Sequence, residues 1–304
     1  MDLCKSHPRL GGVANATMAA VTAILSIQSS VAYGHVGNSA VTFPLMRVGI
    51  EVYPVITVHF SNHTGYGAWR GPHLTAGDLA DVIRGLDERE VLGNCDAVLS
   101  GYQGGADVGE VILEAVALVK ERNPRAIYCC DPVLGDIGRG LFVRPGVPDL
   151  IRDRVVPAAD LSTPNHYELD YLTGRTTRTL EEVVAAADAL RALGPRTVLV
   201  TSVLHSDAPR GTIGMVAVTG DGAWSVATPE LPQSFNGAGD LTAAMFLAQL
   251  LQASDVASAL AGTAAIIYSV LAATVSAGQR ELQLVRAQDE IVRPSHRFGV
   301  NRLR

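Results

Sequence analysis

LEEVVAAADALRALGPRTVLVTS, residues 180–202, contains a helix and a strand back to back. Val183, Ala187 and Leu190 recur at helical spacing, Gly194–Pro195 stops the helix, and the run Thr197–Val200 reads as a buried strand ending in Thr201 and Ser202. The same alternation repeats along the chain. AILSIQ, VYPVITV, DAVLS, AIYCCD and DLSTPN are short apolar runs separated by helical patterns such as 76–92 and 109–122. Strands alternating with helices predict β-α-β units and a mostly parallel sheet, hence an α/β fold. IGMVAVT and GAWSVAT flank Gly220-Asp221-Gly222 and predict a hairpin, and the C-terminal third predicts helices over 238–252, 255–277 and 280–292. With no internal repeat or linker, residues 21–304 read as a single domain, preceded by a disordered extension over 1–20.

Composition excludes several classes of function. Of 304 residues 48% are hydrophobic, the formal net charge is -6, and only Lys5 and Lys120 are lysines. No basic stripe is present to track a nucleic acid. Cys4, Cys95, Cys129 and Cys130 lack both C-x-x-C spacing and a histidine cluster, which predicts neither a zinc site nor a disulfide framework and suits a reducing cytoplasm. Adjacent Cys129 and Cys130 are expected to face the two sides of one strand. Residues 13–32 resemble a signal sequence only faintly, because Ser26 and Gln28 interrupt the apolar residues. No segment reads as a membrane span.

In parallel sheets ligands bind beyond the carboxyl ends of the strands. Five runs here end in polar or small residues: IQSS, VLSGY, CCDPVLGD, STPNHYE and LVTS. Side by side they predict one cleft along a single sheet edge. SFNGAGDLTAAMFLAQLL, residues 234–251, adds three small residues and a carboxylate in front of an apolar helix. Asp240 there is expected as a helix cap, a functional acid, or both at once; Gly237, Ala238 and Gly239 leave bare amides that attract an anion. No Walker A pattern exists, so a phosphate site needs this kind of construction.

Two acidic stretches accompany it. Asp131 and Asp136 flank the turn of DPVLGD, and Asn165 and Glu168 stand where the TPN run gives way to a helix. Hard oxygen ligands at this edge suit Mg²⁺. Taken singly each is also ordinary turn or capping-box chemistry. HFSNHTGYGAW, residues 59–69, mixes aromatic and hydrogen-bonding groups fit for a flat heteroaromatic ligand, although aromatics tucked onto the core are the commoner outcome. GYQGGADVG is too loose for a dinucleotide fingerprint, which argues against a Rossmann oxidoreductase.

SIQSSVAYGHVGNSA, TVHFSNHTGYGAW, DAVLSGY, CDPVLGD, PNHYELDYLTG and NGAGDLTAAMF stand in the order in which the pyridoxine/pyridoxal/pyridoxamine kinase group of the ribokinase-like superfamily carries them, and the chain resembles that group from about Ile24 to Arg293. The resemblance implies a three-layer α/β/α sandwich and ATP-dependent phosphorylation of the 5'-hydroxyl of pyridoxal, with pyridoxine and pyridoxamine as further substrates. It implies Asp240 as catalytic base and Gly237, Ala238 and Gly239 as anion hole. Ser29, Thr64 and Gly65 would contact the pyridine, with His63, Tyr66 and Tyr102 as a wall. Asp131, Thr163, Glu168 and Thr201 would surround the ATP phosphates, Asp131, Asp136 and Glu168 the Mg²⁺, with Asn165 further out. Thr228, Pro229, Glu230 and Leu231 would line the nucleotide. A monovalent cation such as K⁺ and a homodimer are implied as well. Thr201–Ser202 replaces a lysine of some bacterial relatives, so phosphate contact there is expected through hydroxyls. Hydroxymethylpyrimidine kinases, the nearest rival, usually carry Cys at the position of Asp240; a catalytically silent B6-binding protein on this fold would be expected to have lost the acids.

Overall fold

The structure is a computed structural model, and it describes residues 22–253 and 255–304. The extension expected over residues 1–20 lies outside the described residues. The described residues form eleven strands: β1 (Ala23–Val31), β2 (Glu51–Phe60), β3 (Cys95–Ser100), β4 (Ile127–Cys130), β5 (Gly135–Asp136), β6 (Gly140–Leu141), β7 (Leu161–Ser162), β8 (Thr197–Val203), β9 (Thr212–Val218), β10 (Ala223–Pro229) and β11 (Val300–Arg302). The principal helices are α1 (Asn38–Arg47), α2 (Ala76–Glu88), α3 (Ala106–Arg122), α4 (Val147–Leu150), α5 (Val156–Ala158), α6 (His166–Thr173), α7 (Leu180–Arg191), α8 (Ala238–Gln252), α9 (Val256–Ser276) and α10 (Gln288–Val292).

Nine strands form one sheet in the order β11-β10-β9-β8-β7-β4-β3-β1-β2. The six from β8 to β2 pair in parallel, and β9, β10 and β11 add antiparallel strands at the other edge. The mostly parallel sheet expected from the alternation, and the α/β/α sandwich implied by the resemblance, are therefore present. Its two faces carry separate cores. Leu25, Ile27, Val98 and Tyr128 pack with α2, α3 and α7 on one side, whereas Ile24, Leu99, Leu199 and Phe246 pack with α1, α8 and α9 on the other. Strand side chains alternate between faces. Cys130 belongs to the first core and Cys129 to the second, as their adjacency requires. Burial pushes both thiols well above their ordinary range, which leaves them inert.

Local chemistry fixes the junctions. Thr179 accepts from the Glu182 amide in a capping box that starts α7. Gly194 packs so closely on the Pro157 carbonyl that a Cβ would collide with it. Asn38, buried at the start of α1, donates to the carbonyls of Gln28 and Val55 at 3.2 and 2.9 Å and accepts from Ser26 Oγ at 2.8 Å, pinning the helix to β1 and β2.

Two expectations change. The helix expected over 280–292 is mostly turns, with only α10 helical; the Gln283 amide donates to Thr274 Oγ1 at 3.1 Å rather than to a carbonyl of its own segment. The 21-residue α9 is, by length and composition, long and apolar enough to cross a membrane, contrary to the reading that no segment was. In this fold it packs against α8, β9, β10 and α10, with Leu260, Ala264 and Val270 fully buried.

Candidate active site

The carboxyl ends of all six parallel strands open into one cleft of about 1120 Å³. Each contributes a polar side chain at or just past its end: Ser29 from β1, His63 after β2, Tyr102 after β3, Asp131 after β4, Thr163 after β7 and Thr201 in β8. This is the edge along which the five polar strand endings were expected to converge. Val31, Val36, Val58 and Phe60 make one end apolar; Ile213, Gly214, Met215 and the 228–231 stretch close the other.

Three carboxylates, Asp131, Glu168 and Asp240, line the middle of the cleft, near enough for the charges of the other two to act on Asp131. Asp131 is 6% exposed and accepts from Thr163 Oγ1 at 2.9 Å. Glu168, 3% exposed, accepts from the amides of Leu134 at 2.8 Å and Asn165 at 2.9 Å. Asn165 Oδ1 in turn accepts from the Glu168 amide at 2.9 Å, completing a capping box, so cap chemistry and site chemistry share these two residues. Burial, together with the neighbouring Glu168 and Asp240 charges, pushes the Asp131 carboxyl far above the carboxylate range. Burial pushes Glu168 up to about 8 even though three amides oppose it. Among the described residues neither has an arginine or lysine partner. No trio of His, Cys, Asp or Glu there is close enough to hold a metal by itself. Two buried, uncompensated carboxylates with an open cleft beside them nevertheless fit a hard cation that keeps waters and takes substrate phosphate oxygens.

Asp240 does not cap its helix. The N-cap of α8 is Gly237, at φ 80°, with no side-chain cap bond, and Asp240 occupies the third helical position. Left-handed φ at Gly237 lets the His35 carbonyl lie where a Cβ would stand. The first amides of α8 lack intrahelical partners by geometry, and Gly237, Ala238 and Gly239 line the cleft together with Asp240. Asp240 is half-buried by surface area, yet protein crowds its carboxyl enough that desolvation raises its pKa, against hydrogen bonds from the amides of Gly37 and of Asp240 itself.

Asp136, Asn165, Thr228, Pro229, Glu230, Leu231, Thr64, Ala238 and Gly239 also line the cleft. Asp136 sits exposed on the short β5–β6 hairpin. Gly65 and Tyr66 do not line it. Tyr66 turns its hydroxyl to Glu281 at 2.6 Å, and the Gly65 carbonyl accepts from Arg280 at 3.2 Å. Ser202, at φ 52°, is one of two non-glycine residues with positive φ among those described, at a break in the β8–β9 register where the strand opens to the cleft. Sequence reading missed Arg139, Arg144 and His73. Arg144 bonds His73 at 3.1 Å; burial, helped by the Arg144 charge, lowers the basicity of His73, and burial, helped by the Arg139 charge, lowers that of His63.

A family model described as phosphomethylpyrimidine kinase matches residues 93–284. The pyridoxal kinase PdxY of Leifsonia xyli subsp. xyli is 56% identical over 280 residues, 92% of this chain and 99% of its own. That of Rubrobacter xylanophilus is 59% identical over 281 residues, 92% and 97%. Among solved structures, the pyridoxal kinase of Leishmania donovani in complex with ADP and pyridoxamine superposes with a TM-score of 0.87 at 28% identity, covering 93% of this chain and all of that one. Identity of this depth over 92% of the chain means that the chain belongs to the pyridoxal kinase family.

Proposed function

We propose that the chain transfers the γ-phosphoryl group of ATP to the 5'-hydroxyl of pyridoxal, giving pyridoxal 5'-phosphate for vitamin B6 salvage, with pyridoxine and pyridoxamine as further acceptors. The observation that carries this is Asp240 in the first turn of α8, beside uncapped amides and across from the Asp131–Glu168 pair. The relatives named pyridoxal kinase support the choice of ring.

In this reading Asp240 takes the proton of the attacking hydroxyl as its oxygen approaches phosphorus. The amides of Gly237, Ala238 and Gly239 meet the charge that builds on the transferring group, where preorganised donors are worth most. Ser29, His63, Thr64 and Tyr102 lie at the apolar end and would hold the ring. Thr163, Thr201 and the 228–231 stretch would hold the nucleotide. Asp131 and Glu168, with Asp136 further out, would hold Mg²⁺, which when bound offsets phosphate charge; K⁺ belongs to the same expectation. A single domain over 21–304, a homodimer and a cytoplasmic location complete the reading. Buried free Cys95, Cys129 and Cys130 support the last.

Purified protein with Mg·ATP is expected to convert pyridoxal to a product with the absorbance of pyridoxal 5'-phosphate, and to phosphorylate hydroxymethylpyrimidine at least about tenfold less efficiently, the discrimination that one or two ring contacts supply. Equal or reversed preference in a side-by-side assay of pyridoxal, pyridoxine, pyridoxamine and hydroxymethylpyrimidine would overturn the choice of acceptor. Mass measurement in solution tests the dimer.

A further inference from the structure

Three segments border the ring-facing side of the cleft and Asp240: the turn after β1 leading to Gly37, the loop after β2 carrying His63 and Thr64, and the stretch entering α8. A fourth segment, between α9 and α10 and itself outside the cleft, touches all three. Glu281, 7% exposed, accepts from the His35 amide at 3.1 Å and from Tyr66 Oη at 2.6 Å. Gly34, at φ 94°, leaves the room that this carboxylate occupies, since a Cβ there would collide with it. Arg280 stacks on the Tyr66 ring at 4.2 Å and donates to the Gly65 carbonyl. The Gln279 carbonyl accepts from Gln233 at 3.1 Å.

These contacts lead to the base. His35, held by Glu281 through its amide, presses its carbonyl against Gly237 at the N-cap of α8. Two residues further on, the Gly37 amide lies near enough to the Asp240 carboxyl to oppose the rise that burial gives its pKa. Through Tyr66 the same carboxylate fixes the turn that bears His63 and Thr64. A buried acid serving only as a staple for the core would bond the core; both partners of Glu281 lie instead in loops beside the cleft, one of them the exposed Tyr66.

We infer that Glu281 is a positioning residue, which holds the His63–Tyr66 loop and the Gly34–Gly37 turn in fixed relation so that the ring and the acceptor hydroxyl meet Asp240 in register. The inference rests on the proposed phosphorylation of pyridoxal. Misplacement of reacting groups by about 1 Å costs on the order of 10²-fold. Glu281→Ala is therefore expected to raise KM for pyridoxal and lower kcat by a combined factor of about 10² in kcat/KM, leaving KM for ATP within about twofold. Glu281→Gln restores most of the loss, because its carbonyl can accept from His35 while its amide donates to Tyr66 Oη. Tyr66→Phe cuts one of the two ties and raises KM for pyridoxal with kcat held.

Hydrogen exchange on the ligand-free protein reads the same claim without turnover. The amides of His35 and of Tyr66–Gly67 exchange faster in Glu281→Ala than in the parent, and at the parental rate in Glu281→Gln. Unchanged exchange and unchanged kinetics for pyridoxal in Glu281→Ala overturn the inference. So does a parallel rise in KM for ATP with a lowered melting temperature, the pattern of a general staple. If the parent protein makes no pyridoxal 5'-phosphate, the functional reading fails by itself, and the exchange experiment still decides whether Glu281 ties the two loops.

Discussion

Asp240→Asn is expected to lower kcat for pyridoxal phosphorylation by about 10²–10⁴-fold, the contribution of a positioned general base, with a melting temperature within a few degrees of the parent. The two effects separate because of where the residue stands. A capping aspartate would cost about 1 kcal/mol on substitution, but the cap of α8 is Gly237 and Asp240 lies three positions inside. What its charge offers the helix is the modest attraction of an anion for a first turn, about 0.3–1 kcal/mol. Desolvation, which raises its pKa, works in the other direction. Asparagine keeps an acceptor oxygen beside the Gly37 amide and removes the ability to take a proton together with the charge, whose attraction to the first turn and desolvation oppose each other. Parallel measurement of kcat and thermal unfolding distinguishes the roles: a variant that unfolds early yet turns over normally would show a structural aspartate.

The fold was legible wherever a local signal coincided with the global answer. In residues 180–202 helical spacing, the Gly194–Pro195 stop and the apolar run agree, and α7 and β8 follow them closely. Cys129 and Cys130 went to opposite faces because strand geometry leaves no alternative. The acids of DPVLGD and TPNHYE were found by residue type and by their place at strand ends, although the same residues also form the turn and capping box that make the bland reading true. What escaped had no local signal. The β5–β6 hairpin and β11 have two or three residues per strand, too few for any period to show. Tyr66 reads as a ligand-facing aromatic until Glu281, 215 positions away, proves to hold its hydroxyl. Arg139 and Arg144 carry no pattern, and only the fold brings them to the cleft mouth.

Without nucleotide or divalent cation, the melting temperature is expected to fall as pH rises from about 5 to about 8. Glu168 is ordinarily half-ionised near pH 4.5, and in the folded chain it is pushed up to about 8; Asp131 and Asp240 are displaced in the same direction. Over that window the folded chain keeps protons that the unfolded chain has already lost. Folded chains then bind more protons than unfolded ones, and stability must decline with rising pH. The stabilisation is fully present below the unfolded value and is lost as pH passes through the folded one. At about 1.4 kcal/mol per pKa unit, Glu168 alone corresponds to a few kcal/mol, a sizeable part of a domain's net stability. Surface carboxylates such as Asp87 and Asp188, lowered by their arginine partners, act in the opposite sense, but only at more acidic pH. Mg²⁺ with nucleotide is expected to restore the melting temperature more at pH 8 than at pH 5, because a cation beside Asp131 and Glu168 favours their ionised forms. Glu168→Gln should flatten the profile of the ligand-free protein. A melting temperature that climbs between pH 5 and 8 in the absence of ligands would mean that the two acids are already ionised and compensated, and would remove the electrostatic reason for a cation at this site.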